Sequence, residues 1–311
     1  MRSSGRGVPL GFETIVVATD FSPFAERALL KAVEMARSLQ SRVILAHVID
    51  PLFYSNSLNG APFVPRQIEQ NAKARLEMAA SLLRRERIPY ELVVREGMIR
   101  DALCDLVEEY GASLLVIGTH GESRFDRDVV GSVAEKILRV APCPVMTVGS
   151  NAMPSIPLGT KSPRLLFATG FSTHSIGALP FADAMAHYLG AELHLLHVAL
   201  PAADRPESVR RAMEKLEQMA RTQVQLTQRV HCLVQHGQLG ETIASVAASI
   251  GAVAIVLAVQ QEDLRRKPVG GLHQGLIYRI VTQTCCPVIT LHSGLDRESL
   301  RASVLGEALL S

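Results

Sequence analysis

Residues 14–51, TIVVATDFSPFAERALLKAVEMARSLQSRVILAHVIDP, decide the fold, because they return 150 positions later as residues 164–201, RLLFATGFSTHSIGALPFADAMAHYLGAELHLLHVALP. The ATxFS element, the following helix with its methionine and the strand that ends in His-Val all stay in register. A stretch of this length that recurs in register is the signature of an internal repeat.

Two later blocks recur in the same order. Residues 97–118, GMIRDALCDLVEEYGASLLVIG, correspond to residues 237–258, GQLGETIASVAASIGAVAIVLA. Residues 141–149, APCPVMTVG, correspond to residues 284–292, TCCPVITLH. Three blocks in one order indicate a duplication of a whole domain.

Each copy reads as alternating strands and helices. Short, uninterrupted apolar runs such as IVVA and LLVIG are typical of strands covered by helices on both faces. The alternation predicts right-handed crossovers and an α/β fold built on a parallel, doubly wound sheet. In the first copy we predict strands near 14–19, 42–49, 90–95, 113–118 and 144–149, and helices near 23–40, 66–87, 99–111 and 131–140. The second copy is expected from about 164 to 292.

The domain organisation follows from the repeat. We expect a first domain over 10–150, a linker rich in Pro, Ser and Gly over 151–162, a second domain over 163–293 and a tail over 294–311. The tail has the pattern of a short amphipathic helix that docks either on the body of the protein or on a partner.

Composition narrows the functional class. The chain is 48% hydrophobic and 20% charged, and it carries a net charge of +2 without a long basic run. These values argue against disorder, nucleic acid and anionic membranes as first hypotheses. No run of 18 apolar residues predicts a membrane span.

The five cysteines have no CxxC spacing, which is typical of reduced thiols in a cytoplasmic protein. Vicinal Cys285 and Cys286 are interpreted as buried structural thiols, with a redox-active pair as the alternative.

Two loops carry the chemistry. In an open parallel sheet, ligands bind at the carboxyl ends of the strands where the strand order reverses. The loop after the first strand contains Thr19, Asp20, Phe21 and Ser22. The loop after the fourth strand begins at Gly118 and runs GTHGESRFDRDVVGS, with the spacing G-x2-G-x9-G-S.

The second loop has the features of an anion site. Gly121 and Gly131 let the backbone approach a phosphate without a Cβ, and a helix that begins at Gly131 directs free N–H groups outward. The Ser132 hydroxyl adds a donor. His120 either donates to a phosphate or packs outward, and Arg124 and Arg127 either reach the phosphates or only solvate the loop. Asp20 is the best candidate side chain, with a helix N-cap as its alternative role, and His47 and His197 are interpreted as structural.

This combination, G-x2-G-x9-G-[ST] after an apolar strand together with an ATDFS strand end, resembles the universal stress protein family. The resemblance covers nearly the whole chain, once per repeat. It implies two tandem five-stranded parallel-sheet domains of 3-2-1-4-5 order, of the Rossmann-like adenine nucleotide α-hydrolase type. It also implies ATP binding, as in the nucleotide-binding members of that family.

The resemblance assigns roles residue by residue. The first strand end, Ala18, Thr19 and Asp20, would lie against the nucleotide, with Asp20 at the adenosine moiety. The backbone of Val48 would read the adenine edge, and Gly118 would sit near the ribose. Gly121, Gly131, Ser132 and the Val133 amide would hold the phosphates, and His120 is a further candidate within the same loop.

The second repeat departs from this pattern. Gly170 stands in place of Asp20, Ala258 stands in place of Gly118, and the loop becomes AVQQEDLRRKPVGGLHQGLIY. The basic stretch 265–267 is read as a solvated loop, with an anion site as the alternative. We therefore expect one competent nucleotide site per chain.

Three functions compete. The first is an ATP-binding regulator in the stress response that acts on a protein the sequence does not name. The second is a slow, Mg²⁺-dependent ATP hydrolase, although a GxxxxGK[ST] loop, a nucleophile–base pair and a metal cluster are not evident, and no metal-ligating residues are expected. The third is an interaction module without nucleotide. The sequence leaves open whether the nucleotide is ATP, ADP or AMP, and whether Mg²⁺ accompanies it.

The fifth strands predict how the repeats associate. PVMTVG and PVITLH are apolar strands at a sheet edge, and such edges need a partner. We expect the two repeats to form an internal pseudo-dimer through these strands. Whether whole chains dimerise further stays open.

Overall fold

The structure, a computed structural model, describes residues 11–51, 66–119, 132–152, 162–199, 206–227, 229–259 and 276–292. The first repeat contains β1 (Thr14–Ala18), α1 (Pro23–Leu39), β2 (Arg42–Ile49), α2 (Arg66–Ala79), α3 (Ser81–Arg85), β3 (Tyr90–Glu96), α4 (Ile99–Glu109), β4 (Leu114–Gly118), α5 (Ser132–Val140) and β5 (Val145–Val148). The second contains β6 (Arg164–Ala168), α6 (Thr173–Leu189), β7 (Glu192–Ala199), α7 (Pro206–Gln223), β8 (Val230–His236), α8 (Leu239–Ile250), β9 (Ala252–Val259), α9 (Leu276–Gln283) and β10 (Val288–His292).

The described strands form one sheet in the order β3-β2-β1-β4-β5-β10-β9-β6-β7-β8. Within each repeat the neighbouring strands are parallel and follow the order 3-2-1-4-5, so the predicted fold is confirmed. Apolar side chains on the two faces of the sheet form two hydrophobic clusters, and each cluster draws residues from both repeats. The core is therefore continuous across the duplication.

The first helix of each repeat begins and ends for identifiable reasons. Ser22 caps α1 by accepting a hydrogen bond from the Ala25 amide at 3.2 Å, and Pro23 occupies the first turn, where no N–H is needed. Ser172 caps α6 in the same way, and Gly190 ends it in the left-handed conformation. The helices α1 and α6 therefore begin in the same way in the two repeats, and each leads into the second strand of its repeat.

The two repeats join through their fifth strands. β5 and β10 pair antiparallel, with Met146 opposite Ile289. Two buried threonines reinforce the join: Thr147 Oγ1 donates to the Val288 carbonyl at 3.1 Å, and Thr290 Oγ1 donates to the Val145 carbonyl at 3.3 Å. The predicted pseudo-dimer is confirmed as a single sheet that runs through both halves.

The two repeats also contact each other outside the pairing of β5 and β10. A Cβ placed on Gly149 would lie 2.3 Å from the Val281 carbonyl oxygen of α9, so the two repeats approach closely only because residue 149 is a glycine. On the other face, the Phe12 ring meets the edge of Phe181 at a centroid distance of 5.5 Å. The interface between the repeats is packed like a domain interior.

One predicted element differs in detail. The helix predicted over 66–87 is divided into α2 and α3 at Ala80. Backbone hydrogen bonds still run across the division, since the Ala80 amide donates to the Leu76 carbonyl and the Arg84 amide donates to the Ala80 carbonyl. The division is a local turn in one helical rod. None of the described helices combines the length and the apolar composition that a membrane span requires.

Candidate functional site

The candidate site of the first repeat lies at the carboxyl edge of the sheet, where β1 is flanked by β2 on one side and β4 on the other. This is the point where the strand order reverses, and ligands of doubly wound folds bind there. The structure places the ends of β1, β2 and β4 together at this edge, with Thr19, Val48 and Gly118 on neighbouring strands.

The phosphate half of the predicted site cannot be placed. His120, Gly121 and Gly131 lie outside the described residues, as do Arg124 and Arg127 of the same loop. The structure does show α5 beginning at Ser132 after β4, so a helix starts where the sequence predicts an anion site. Val133 lies in the first turn of that helix and packs against the core.

The turn after β1 is built from two side chains that fold back onto the main chain. Thr19 Oγ1 accepts a hydrogen bond from the Phe21 amide, and Asp20 Oδ1 accepts one from the Ser22 amide, each at 3.0 Å. Phe21 has a φ of 65°, which a bulky side chain rarely adopts. The N-cap of α1 is Ser22, so the alternative role of Asp20 as the helix cap is excluded.

The second repeat tests whether this turn needs the aspartate. Thr169 Oγ1 accepts from the Phe171 amide at 3.1 Å, Phe171 has a φ of 61°, and Ser172 caps the helix. The same turn therefore forms with Gly170 at the position of Asp20. This backbone conformation can thus form without a carboxylate at the position of Asp20.

A stack of rings stands beside each turn. The His47 ring lies 4.5 Å from the Phe21 ring, and its Nδ1 donates to the Thr19 carbonyl at 2.8 Å. His197 repeats both contacts, with Phe171 at 4.3 Å and the Thr169 carbonyl at 2.9 Å. These contacts fasten each β1-type strand end to its neighbour, in line with the structural role expected for both histidines.

A cation that the sequence did not single out covers each stack. The Arg75 guanidinium of α2 lies 4.3 Å from the centre of the Phe21 ring, and Lys215 of α7 lies 5.4 Å from the Phe171 ring. Both are cation–π contacts. Each places a positive charge beside the turn that follows the first strand of its repeat.

Gly118 has a packing function that the motif does not reveal. A Cβ at this position would lie 3.0 Å from the Phe24 carbonyl carbon and 3.2 Å from the Ala25 nitrogen of α1. The glycine lets the first turn of α1 approach the end of β4. The second repeat carries Ala258 here, so its helix and strand ends meet under a different constraint.

The backbone of Val48 extends beyond the end of β1. The Ala46 carbonyl accepts from the Thr19 amide at 2.9 Å, which is the last backbone hydrogen bond between the two strands among the described residues. Alternate residues of a strand direct their backbone groups to the same side, so the N–H and C=O of Val48 point towards the space past Thr19.

The vicinal cysteines fit the structural interpretation better than the redox one. Burial raises the pKa of the Cys286 thiol to about 12, with Cys285 acting in the same direction, and burial also raises the pKa of Cys143. A thiol with a raised pKa is a poor nucleophile. All five cysteines are free.

The fold defines a tandem, doubly wound α/β protein in which the strand order of each half reverses at its first strand. The profile of the universal stress protein family matches residues 11–149 and 162–291. The chain belongs to the universal stress protein family.

Known relatives correspond to one repeat each or to both. The universal stress protein YxiE of Bacillus subtilis is 27% identical over 146 residues, which cover 44% of this chain and 99% of the relative. A universal stress protein of Synechocystis is 31% identical over 149 residues, which cover 47% of this chain and 90% of the relative. The solved structure of a universal stress protein from Archaeoglobus fulgidus has a TM-score of 0.68 at 18% identity, and the alignment covers 91% of this chain and 98% of that one. That likeness shows the two-repeat fold.

Proposed function

We propose that this universal stress protein binds ATP at one site, in the first repeat, and acts as a nucleotide-dependent regulator in the stress response. The observation that carries the proposal is the contrast between the two turns after β1 and β6. Both form the same backbone, yet only the first has an aspartate, Asp20, at the position where the second has Gly170.

The proposed contacts follow the strand ends. The ribose and adenine would lie across Ala18, Thr19 and Asp20, with the backbone of Val48 at the adenine edge. The phosphates would lie at the start of α5, against Gly131, Ser132 and the Val133 amide, because the N-terminus of a helix attracts anions. Gly121 and His120 would complete the loop around the phosphates.

The second repeat would not bind a nucleotide in the same way. It has Gly170 and Ala258 in place of Asp20 and Gly118, and its loop lacks the spacing G-x2-G-x9-G. One nucleotide per chain is therefore the stoichiometry of this proposal.

A regulator suits this site better than a hydrolase. Hydrolysis needs a group that activates water, and a metal ion is the usual companion of the triphosphate. Among the described residues, the grouping of three side chains suited to a metal ion lies in the second repeat, at Glu192, His194 and His231. The nucleotide site as described offers Asp20 alone, so at most a slow, Mg²⁺-dependent hydrolysis is expected.

The regulated protein would recognise the surface around the occupied cleft. Loops at the carboxyl edge of a sheet carry the ligand and are also exposed to partners, so occupancy alters the surface that a partner meets. The free cysteines suit a reducing compartment, and we place the protein in the cytoplasm. Whether two chains associate is part of the same question.

The test is the nucleotide content of the purified chain. The protein is denatured, the released adenine nucleotide is identified and counted per chain, and ATP is added back to stripped protein. The Gly131→Asp variant places a carboxylate at the start of α5 and should lose the nucleotide. Gly275→Asp makes the matched change before α9 in the second repeat and should keep it.

The outcomes separate the candidate functions. About one nucleotide per chain, absent from Gly131→Asp and present in Gly275→Asp, supports a single site in the first repeat. No nucleotide, and none bound after ATP is added back, would leave an interaction module as the function. Steady release of ADP from bound ATP, dependent on Mg²⁺, would support the hydrolase.

A further inference from the structure

A second cluster of polar side chains lies at the opposite edge of the sheet from the nucleotide cleft. Glu192 is the first residue of β7, His194 follows two positions later, and His231 is the second residue of β8. All three belong to the second repeat and lie near the amino ends of their strands. The cluster is therefore separate from the site proposed above.

Strand geometry brings the three side chains together. Residues two apart on a strand point to the same face, which places Glu192 beside His194. His194 is directly opposite His231 in the parallel register of β7 and β8. The two imidazole rings stack with their centres 4.6 Å apart and an angle of 21° between their planes.

The ligand-type atoms of the three residues converge. Glu192 Oε2 lies 3.9 Å from His194 Nε2 and 3.6 Å from His231 Nε2. One oxygen or nitrogen from each residue lies within 4.8 Å of the others. Bonds of 2.0 to 2.2 Å from a central zinc ion to such atoms require separations only slightly shorter than these (on the order of 3.5 Å).

His194 is the unusual member of the cluster. The residue is only 8% exposed, and within the described parts of the chain neither of its ring nitrogens has a hydrogen-bond partner. Buried polar atoms are nearly always hydrogen-bonded or bound to an ion, so two unsatisfied nitrogens on one ring need an explanation. The Glu192 oxygen at 3.9 Å is too distant for a hydrogen bond.

The two oxygen atoms of the Glu192 carboxylate have different neighbours. Arg229 donates to Glu192 Oε1 at 3.1 Å, whereas Oε2 faces the two imidazoles. A hydrogen bond to the outer oxygen of a ligating carboxylate fixes its orientation. Arg164 Nε lies 3.7 Å from Oε2 and would repel a cation, and its guanidinium also donates to the Ile250 carbonyl at 2.6 Å. Its side chain is 45% exposed, so metal binding would require it to exchange these contacts for solvent.

The equivalent strand ends of the first repeat have different residues and no such cluster. Arg42, Ile44 and Glu91 occupy the positions of Glu192, His194 and His231. There Tyr110 donates to Glu91 at 2.5 Å and stacks near Arg42, while Ile44 is fully buried. Two histidines have thus replaced an aliphatic side chain and a carboxylate at matched positions of one fold.

We propose that Glu192, His194 and His231 form a binding site for a divalent transition metal ion, with Zn²⁺ as the first candidate. Two imidazoles and one carboxylate are a ligand set that zinc accepts with one position left for water or another ligand. The exposed side of His231 leaves room for that position, because its side chain is 49% exposed. The absence of thiolates in the cluster also allows Co²⁺, Ni²⁺ or Cu²⁺.

The test is metal binding to the full chain after treatment with a chelator. Titration calorimetry with Zn²⁺ should show one site per chain. The His194→Ile variant installs the residue found at this position in the first repeat and should weaken binding at least about tenfold, as should His231→Gln. The control is His174→Gln, which removes an exposed histidine at the start of α6 and should bind like the parent chain.

Spectroscopy identifies the ligands independently. Bound Co²⁺ should show visible bands without thiolate charge transfer, since the proposed ligands are nitrogen and oxygen. Should His194→Ile fail to fold, Glu192→Gln and His231→Gln still decide the question, because both change polar groups near the surface. Unaltered zinc binding in the variants that fold, thiolate bands with Co²⁺, or no zinc binding to the parent chain would each overturn the proposal.

Discussion

At the carboxyl edge of the sheet the first repeat has Asp20 and Gly118, whereas the second has Gly170 and Ala258. At the amino edge the distribution of polar groups is reversed, since His194 of the second repeat stands where the first has the buried Ile44. The strand order is the same in both repeats, and the register between the second and third strands at these positions is the same. The comparison teaches that each repeat serves as the other's control, so that a side chain present in only one of them is not required by the strands and turns that both repeats share, although it can stabilise a segment of its own repeat.

The largest effect is expected at Asp183, which has Val33 as its counterpart in the first repeat. The buried Asp183 carboxylate accepts three backbone N–H groups of residues 225–227 at 2.7 to 2.9 Å. Asp183→Ala would leave these donors unsatisfied and should lower the free energy of unfolding by about 3 kcal/mol or more. Urea unfolding measures this, with the exposed Asp105→Ala as the control; equal stability of both variants would show that the carboxylate is dispensable.

A somewhat smaller effect is expected where the repeats meet. Gly149→Ala places a Cβ against the Val281 carbonyl of the other repeat and should destabilise the chain by about 2 kcal/mol, because backbone must move. Gly177→Ala is the matched control, since its Cβ would meet nothing within 4 Å inside α6. It should stabilise the chain by about 0.5 kcal/mol. A thermal melt of both variants tests the join, and matching melting temperatures would contradict it.

The third prediction concerns a substitution that makes the turn of the first repeat resemble that of the second. Asp20→Gly should weaken ATP binding about tenfold, since a hydrogen bond to a charged group contributes about 1.5 kcal/mol. Stability should change little, because the turn already forms with Gly170. Equilibrium dialysis with labelled ATP gives the affinity. The reverse change, Gly170→Asp, should create no site, and a gain of nucleotide there would show that the loop of the second repeat is competent.

The smallest effect concerns the amino edge of the first repeat. A hydrogen bond to Glu91 raises the pKa of Tyr110 to about 12. Folding thus favours the protonated phenol. Its contribution to the free energy of unfolding is fully present below pH 10 and is lost as the pH rises towards 12. Tyr110→Phe should remove this part of the alkaline decline, a difference below about 1 kcal/mol at an exposed position. Unfolding curves at pH 9 and above compare the two chains; parallel declines would contradict the prediction.

Much of the fold could be predicted because its signals are local. The apolar runs of β1 and β4 and the 150-residue recurrence give the strands, the duplication and the pairing of the fifth strands. The division at Ala80 could not be foreseen, since hydrogen bonds continue across it. The helix predicted from residue 66 otherwise buries the apolar stripe that its periodicity indicates, including Ala72 and Leu76.

The sites were less accessible to sequence reasoning. Asp20 and Gly118 were found through a spaced motif, but the packing of Gly118 against α1 depends on the third dimension. The cluster of Glu192, His194 and His231 was missed because its two histidines lie far apart in sequence and meet only through strand register. The available signal was a histidine in β7 where the first repeat has an isoleucine.

The antiparallel pairing of β5 and β10 has a consequence for how such a chain changes over time. In a twofold symmetric dimer of identical subunits, any substitution enters both subunits at once, and a lost site is lost twice. Here the two halves share one sheet but are encoded separately, so a substitution enters one half only. The second half can therefore carry Gly170 and the paired His194 and His231 while the first half carries Asp20, Ile44 and Glu91.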